Sequence, residues 1–174
     1  VMSLEFSKDG IDLYATTDNG QVWRVSGFDQ VYAFDLAQAY NNADVNSGVQ
    51  TVTTTLIYQE PSGAPITGVS IDPNDPEHVV FTVGAYNTGT HIYESFNAAS
   101  ATGAGDAAWS SIQGNLPDFP VYDVVIDLDY ANSGLIIVGT EFGVWTTDNA
   151  SSWIQNSIGF GNVPVFAVRQ QQQD

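Results

Sequence analysis

The chain has 174 residues, of which 43% are hydrophobic and 12% aromatic, and it contains no cysteine. Such content separates it from disordered, charge-dominated chains, and the absence of thiols excludes disulfides and thiolate metal centres. Twenty acidic residues face only Lys8, Arg24 and Arg169, for a formal net charge of −17; because affinity for polyphosphate comes from Lys and Arg displacing counterions, nucleic acid and anionic lipid are excluded as partners.

The first 26 residues alternate apolar and polar side chains, the period-2 pattern of strands with two unlike faces, and predict strands over 3–7, 11–17 and 20–26. Residues 29–49 lose that alternation and are expected to form a long loop, with a short helix around Leu36 to Tyr40; a fourth strand follows over 51–59. The next unit predicts strands at 66–72, 78–86, 90–95 and 108–112, with a Gly/Ala-rich insertion over 96–107. A third predicts strands at 121–127, 134–140, 143–148 and 152–156, and Val163 to Val168 resembles the opening strand of each earlier unit, placing a last strand at 163–169. Between strands lie DG, DNG, NTG, NSG and DPNDP clusters, whose Gly and Asn tolerate positive φ and whose Pro cannot join a ladder.

These units are copies of one another. Ile66 to Gly84 aligns without a gap on Val121 to Gly139, pairing Val69 with Val124, Ile71 with Ile126, Asp72 with Asp127 and Gly84 with Gly139. Trp23, Tyr93 and Trp145 then share one position in the third strand of each unit and are expected to be core aromatics. Four strands per unit is the blade of a propeller. The expected architecture is all-β: a partial β-propeller of about three four-stranded antiparallel blades (1–65 with its long loop, 66–120 and 121–162) plus an extra strand within 163–174. Propellers typically need four to eight blades, so the remaining blades are expected from the same or another chain. No apolar run reaches the roughly 20 residues of a bilayer span, so no membrane insertion is expected. The N-terminus carries no export pattern, and such a signal would lie upstream of Val1. The opening on Val1 and the closing run from Gln170 to Asp174 lead us to expect a segment of something longer.

Thr146, Asp148, Ala150 and Trp153 resemble the Asp-box, or BNR, motif (Ser/Thr-x-Asp-x-Gly-x-x-Trp), with Ala150 where the motif has Gly. Thr16, Asp18, Gly20 and Trp23 also match, but the repeat alignment puts them one hairpin earlier. The resemblance implies a structural turn, in which the Asp accepts backbone N–H bonds and the Trp packs between sheets. The phrases GTEFGVWTTDN and NLPDFPVYDVVID resemble the repeat regions of large exported proteins of Bacteroidetes, including sortilin- and sialidase-like surface propellers. This resemblance implies a secreted or cell-surface location, by the type IX route, and no particular activity.

Candidate chemistry is sparse. Sialidases resemble one another in clamping a substrate carboxylate with three Arg, and this chain has two. A glycosidase pair of carboxylates could be drawn from Asp123, Asp127, Asp129 and Glu141. His78 and His91 lack the spacing of a zinc site, and no GxSxG elbow occurs. Asp72, Asn74 and Asp75, with Asp127 and Asp129 in the next unit, offer hard oxygens that would suit calcium; no other cofactor is expected. The leading reading is a non-catalytic extracellular propeller segment, a scaffold or binding surface for protein or glycan, whose loops at 29–49 and 96–107 make the contacts. The alternatives are part of a sialidase- or xyloglucanase-like glycoside hydrolase whose site is completed elsewhere, and a structural subunit of a surface filament.

Overall fold

The computed structural model describes residues 1–29, 52–127, 134–159 and 161–170. Twelve strands form three separate four-stranded antiparallel sheets, each built from consecutive hairpins. The first holds β1 (Leu4–Phe6), β2 (Asp12–Thr16), β3 (Gln21–Ser26) and β4 (Thr53–Gln59). The second holds β5 (Ile66–Asp72), β6 (Asp75–Val83), β7 (Ile92–Ser95) and β8 (Ser110–Ser111). The third holds β9 (Val121–Ile126), β10 (Ile136–Thr140), β11 (Gly143–Thr147) and β12 (Ile154–Gln155). These are the blades of a partial propeller.

Alternation drives the stacking. In β2, Asp12, Tyr14 and Thr16 are buried while Leu13 and Ala15 are only half-buried. Tyr14, Val22 and Ile57 of the first sheet pack against Ile66, Val69, Phe81 and Val83 of the second. Val80 and Ile92, from the second sheet's other face, join Val124, Ile126, Ile136 and Val138 of the third in a separate cluster. Each sheet boundary thus encloses one apolar layer, and burial of this kind is the main driving force for the stacking.

The same boundaries carry repeated polar pins. Trp109, just before β8, donates its indole N–H to the Ile57 carbonyl of the first sheet at 3.0 Å. Trp153, just before β12, does the same to the Ile112 carbonyl beside the second sheet at 2.9 Å. Near the inner strands, Thr67 Oγ donates to the Val121 carbonyl at 2.6 Å, and Ile126 N–H donates to Ser70 Oγ at 3.1 Å. Gly68 allows that approach: a Cβ there would lie 2.8 Å from the Asp123 Cα.

Three expectations need correction. Residues 163–169 were expected as a strand, yet among the described residues 163–170 join no ladder and are held instead by single bonds, from the Val165 N–H to Thr140 and the Val168 N–H to Asp123. β6 starts at Asp75, so Pro76 lies inside the strand and not in the turn. It is tolerated because the β5–β6 register breaks between Ile71 and Asp72, leaving its stretch unpaired with β5. The 96–107 insertion is no free rim loop: Ala98, Ala101 and Ala107 are buried in the cluster between the first two sheets. The expected loop at 30–49, with its helix around Leu36 to Tyr40, lies outside the described residues.

Trp23, Tyr93 and Trp145 do occupy equivalent third-strand positions, but their surroundings differ. Tyr93 packs on the cluster between sheets one and two, and Trp145 on that between two and three. Trp23 is half-buried and belongs to neither. Register places it with Leu4, Phe6, Leu13, Ala15, Val25 and Leu56 on one apolar face of the first sheet. That is the face opposite the second sheet.

Candidate functional site: the groove between the inner strands

The first strands of the three sheets, β1, β5 and β9, lie side by side and border a groove of about 470 Å³ together with Arg169 and Gln170. Short β1 contributes Ser3, Leu4, Glu5 and Phe6 and is followed by Lys8; Val69, Ser70 and Ile71 come from β5, and Asp123 to Ile126 from β9. Leu4 and Phe6 are largely exposed, at 58% and 46%, on the first sheet's outward face, while Glu5 between them shares the face of Tyr14, toward the second sheet.

Glu5 and Asp123 bring carboxylates from different sheets into this groove, and their surroundings differ. Burial pushes the Glu5 carboxyl above its ordinary range; Arg169 works against that shift and the Asp123 charge adds to it. Asp123 is buried, with its Oδ2 doubly engaged. It accepts the Val168 N–H at 2.9 Å and pairs with the Arg169 guanidinium. Gln170 donates to Asp127 beside it. At the groove's flank, Tyr122 donates to Glu141, and burial together with that carboxylate pushes its hydroxyl up to about 12.

Two of the chain's three cations, Lys8 and Arg169, line this groove. The third is structural: Arg24 is buried, donates to the Ala98 carbonyl at 2.8 Å across the first sheet boundary, and lies 3.9 Å from Asp12. An arginine clamp would therefore have to draw on Arg169 alone.

Of the residues expected to ligate calcium, Asp72 and Asp75 each accept a nearby backbone N–H. Asp72 accepts the Asn74 N–H at 2.8 Å with one oxygen and faces His78 Nδ1 at 3.3 Å with the other. Asp75 accepts the Glu77 N–H, as the carboxylate of a tight turn does. Asp129 lies outside the described residues. Among the described residues no three His, Cys, Asp or Glu side chains are placed to hold a metal ion. His78 instead stacks on Phe96 at 4.3 Å and faces Glu94 at 3.4 Å, and His91 is buried with its Nε2 2.6 Å from Asp118.

The expected Asp-box turn forms between β11 and β12, but its acceptor is Asn149, one residue beyond Asp148. Asn149 Oδ1 takes the N–H groups of Ser151 and Ser152, while Asp148 points to solvent. Thr147, not Thr146, bonds Asn149; Thr146 Oγ accepts from Asn156. Ala150 has φ +56°, the left-handed conformation that favours Gly at this motif position. Trp153 is 3% exposed and packs in the second cluster. The second sheet repeats the device with Asn97, whose Oδ1 accepts from Ser95 and from the Ala108 N–H just before Trp109. The shared signal, Ser/Thr-x-Asn followed later by Trp, is present in the sequence at 95–109 and 147–153.

Sequence reasoning missed Glu5, Phe6, Lys8 and Arg169 as site residues. Each belongs to an inner strand or its extension, and the position of the inner strands was the one signal that could have singled them out.

No family model matches this chain, and neither does any curated protein. Among solved structures it is similar to the GH74 xyloglucanase from Xanthomonas campestris, at 18% identity and a TM-score of 0.54, over 89% of this chain and 20% of that one. It is similar to the WD40 β-propeller domain of Doa1, at 14% identity and a TM-score of 0.54, over 93% of this chain and 41% of that one. It is also similar to a GH74 enzyme of Niastella koreensis, at 17% identity and a TM-score of 0.53, over 86% and 22%. Likeness at this identity shows the propeller fold alone. The chain spans between about a fifth and two-fifths of the length of these proteins.

Proposed function

We propose that the chain is a non-catalytic part of a larger extracellular propeller, and that the groove between its inner strands binds a neutral glycan. The observation that carries this reading is the state of Asp123. Its Oδ2 is held by a guanidinium and a backbone N–H, which fixes the carboxylate as part of the groove wall. At the groove's rim, on the outward face of the first sheet, exposed Phe6 and Leu4 supply an apolar platform of the kind a sugar ring stacks on, and the groove's own charges, Lys8 and Arg169 against Glu5 and Asp123, balance.

A second reading has one observation in its favour. A glycosidase acid must hold its proton near neutral pH, and Glu5 has its carboxyl raised by burial in the groove that also contains Asp123. Two of the similar structures are GH74 enzymes, so xyloglucan is the polysaccharide to try first. Affinity electrophoresis and reducing-sugar release on xyloglucan and other soluble neutral polysaccharides separate the readings. Retardation that Phe6→Ala removes, with no sugar released, is the expected result. Sugar release abolished by Glu5→Gln would establish the hydrolase, and retardation unchanged in Phe6→Ala would remove the groove from consideration.

A further inference from the structure

The segment 163–170 belongs to no sheet, yet its backbone is held as the first strand of a sheet is held. The Ile66 N–H that opens β5 donates to the Thr17 carbonyl just past β2 of the preceding sheet, at 3.0 Å. The Val165 N–H donates to the Thr140 carbonyl at the end of β10, at 2.9 Å. Both follow a proline, Pro65 and Pro164. Thr17 and Thr140 also close their hairpins alike, through Oγ contacts to Gln21 and Gly143. Gly139 admits the segment: a Cβ there would meet the Val165 carbonyl at 2.5 Å. Residues 163–170 therefore stand to the third sheet as β5 stands to the first.

Two carbonyls that are occupied at the earlier positions have no donor among the described residues here. Pro65 and Pro120 each accept the N–H of the residue after their own sheet's second strand, from Gly84 at 3.0 Å and Glu141 at 3.1 Å. Pro164 accepts from none. Ile57 and Ile112 each accept the indole N–H of the following sheet's outer strand. Asn156 is the equivalent of Ile112, since its N–H donates to Val144 as that of Ile112 donates to Ile92, and its carbonyl receives no indole. Around these groups Val163 and Phe166 are 51% and 70% exposed.

We propose that the edge of residues 163–169, which joins no ladder among the described residues, with the Pro164 and Asn156 carbonyls, is the docking surface for a three-stranded antiparallel meander that completes a fourth sheet. Its second strand places an N–H on Pro164, and its outer strand carries a tryptophan whose indole N–H bonds Asn156. The inference rests on reading the chain as part of a larger propeller. The meander belongs to the same polypeptide. β5 passes to β6 through residues 73–74 alone, and so short a tether gives the next strand an effective concentration that a separate chain would lack. A second copy of this chain does not fit. Its first sheet brings its own β1 to the place 163–170 already hold, and has Thr54 where the second and third sheets have Trp109 and Trp153.

The test replaces residues 171–174 of the full chain with a copy of its own residues 73–113, which carries β6, β7, Trp109 and β8. Amide hydrogen exchange over 163–170 is expected to slow at least about tenfold, and the urea m-value to rise by about a third, as a fourth sheet adds buried surface to three. Trp109→Phe in the appended copy should return much of that protection. Unchanged exchange over 163–170, while the first three sheets stay protected, would overturn the docking surface. Equal protection from the 73–113 peptide added as a separate molecule would overturn the shared polypeptide. Loss of protection across the three sheets themselves would instead condemn the propeller reading.

Discussion

His78 shows how one buried titratable side chain is put to structural use. It is 8% exposed, stacked on Phe96, and flanked by Asp72 and Glu94. Burial disfavours its charge, but the two carboxylates outweigh burial, and the net effect raises its pKa above the ordinary value of 6.5. A group whose folded pKa is raised stabilises the fold fully below its unfolded pKa, and that contribution disappears as pH rises through the folded value. Urea midpoints at about pH 6 and about pH 8 should therefore show the native chain losing more stability across the interval than His78→Gln. Equal losses in the two proteins would mean that the carboxylates do not hold the proton. Ala150 illustrates the other side of residue-level reading: a motif position written for Gly is filled by Ala, and the turn keeps its left-handed φ of +56° regardless.

Tryptophans that look alike in a repeat do different work according to the element they sit on. Trp153 precedes β12, is buried, and satisfies a carbonyl of the neighbouring sheet. Trp23 lies within β3, is half-buried, and its indole N–H donates to Gln21 two residues away. Trp153→Phe leaves the Ile112 carbonyl without its donor, and an unsatisfied buried polar group costs about 1–3 kcal/mol. Trp23→Phe exposes no such group and should cost under about 1 kcal/mol. Urea denaturation of both variants checks the order, and a larger loss at Trp23 would show its sheet face to be the better covered one. The 96–107 insertion argues the same point. Its alanines fill the boundary between two sheets while Ser100 bonds Glu77 at its surface, so an irregular segment became part of a core.

For the whole molecule the dominant long-range term is charge. A net −17 on 174 residues means self-repulsion that salt can screen, since the Debye length falls from about 30 Å at 0.01 M to about 3 Å at 1 M. The thermal midpoint should rise steadily with NaCl over that range, most of it below about 0.2 M, where screening changes fastest. A flat or falling midpoint would place the acidic residues far enough apart for their repulsion to be already negligible. The uneven distribution of the cations matters at this scale too: Arg24 is locked between sheets, and Lys8 and Arg169 border the groove.

How much was legible beforehand follows from which interactions are local. Strand periodicity, hairpin turns and the internal repeat are written in short stretches of chain, so the twelve strands and their grouping into three sheets could be read directly, as could the shared position of Trp23, Tyr93 and Trp145. The site could not. Glu5 lies more than a hundred residues from Asp123, and Arg169 46 residues beyond that, and they meet only because first strands gather at the inner side of stacked sheets. Likewise, nothing near Asp148 in the chain says that Asn149 will be the one to cap the hairpin, or near Asp72 that His78 will come to face its carboxylate. Local alternation determined the sheets; packing between them decided which polar groups were left to face one another.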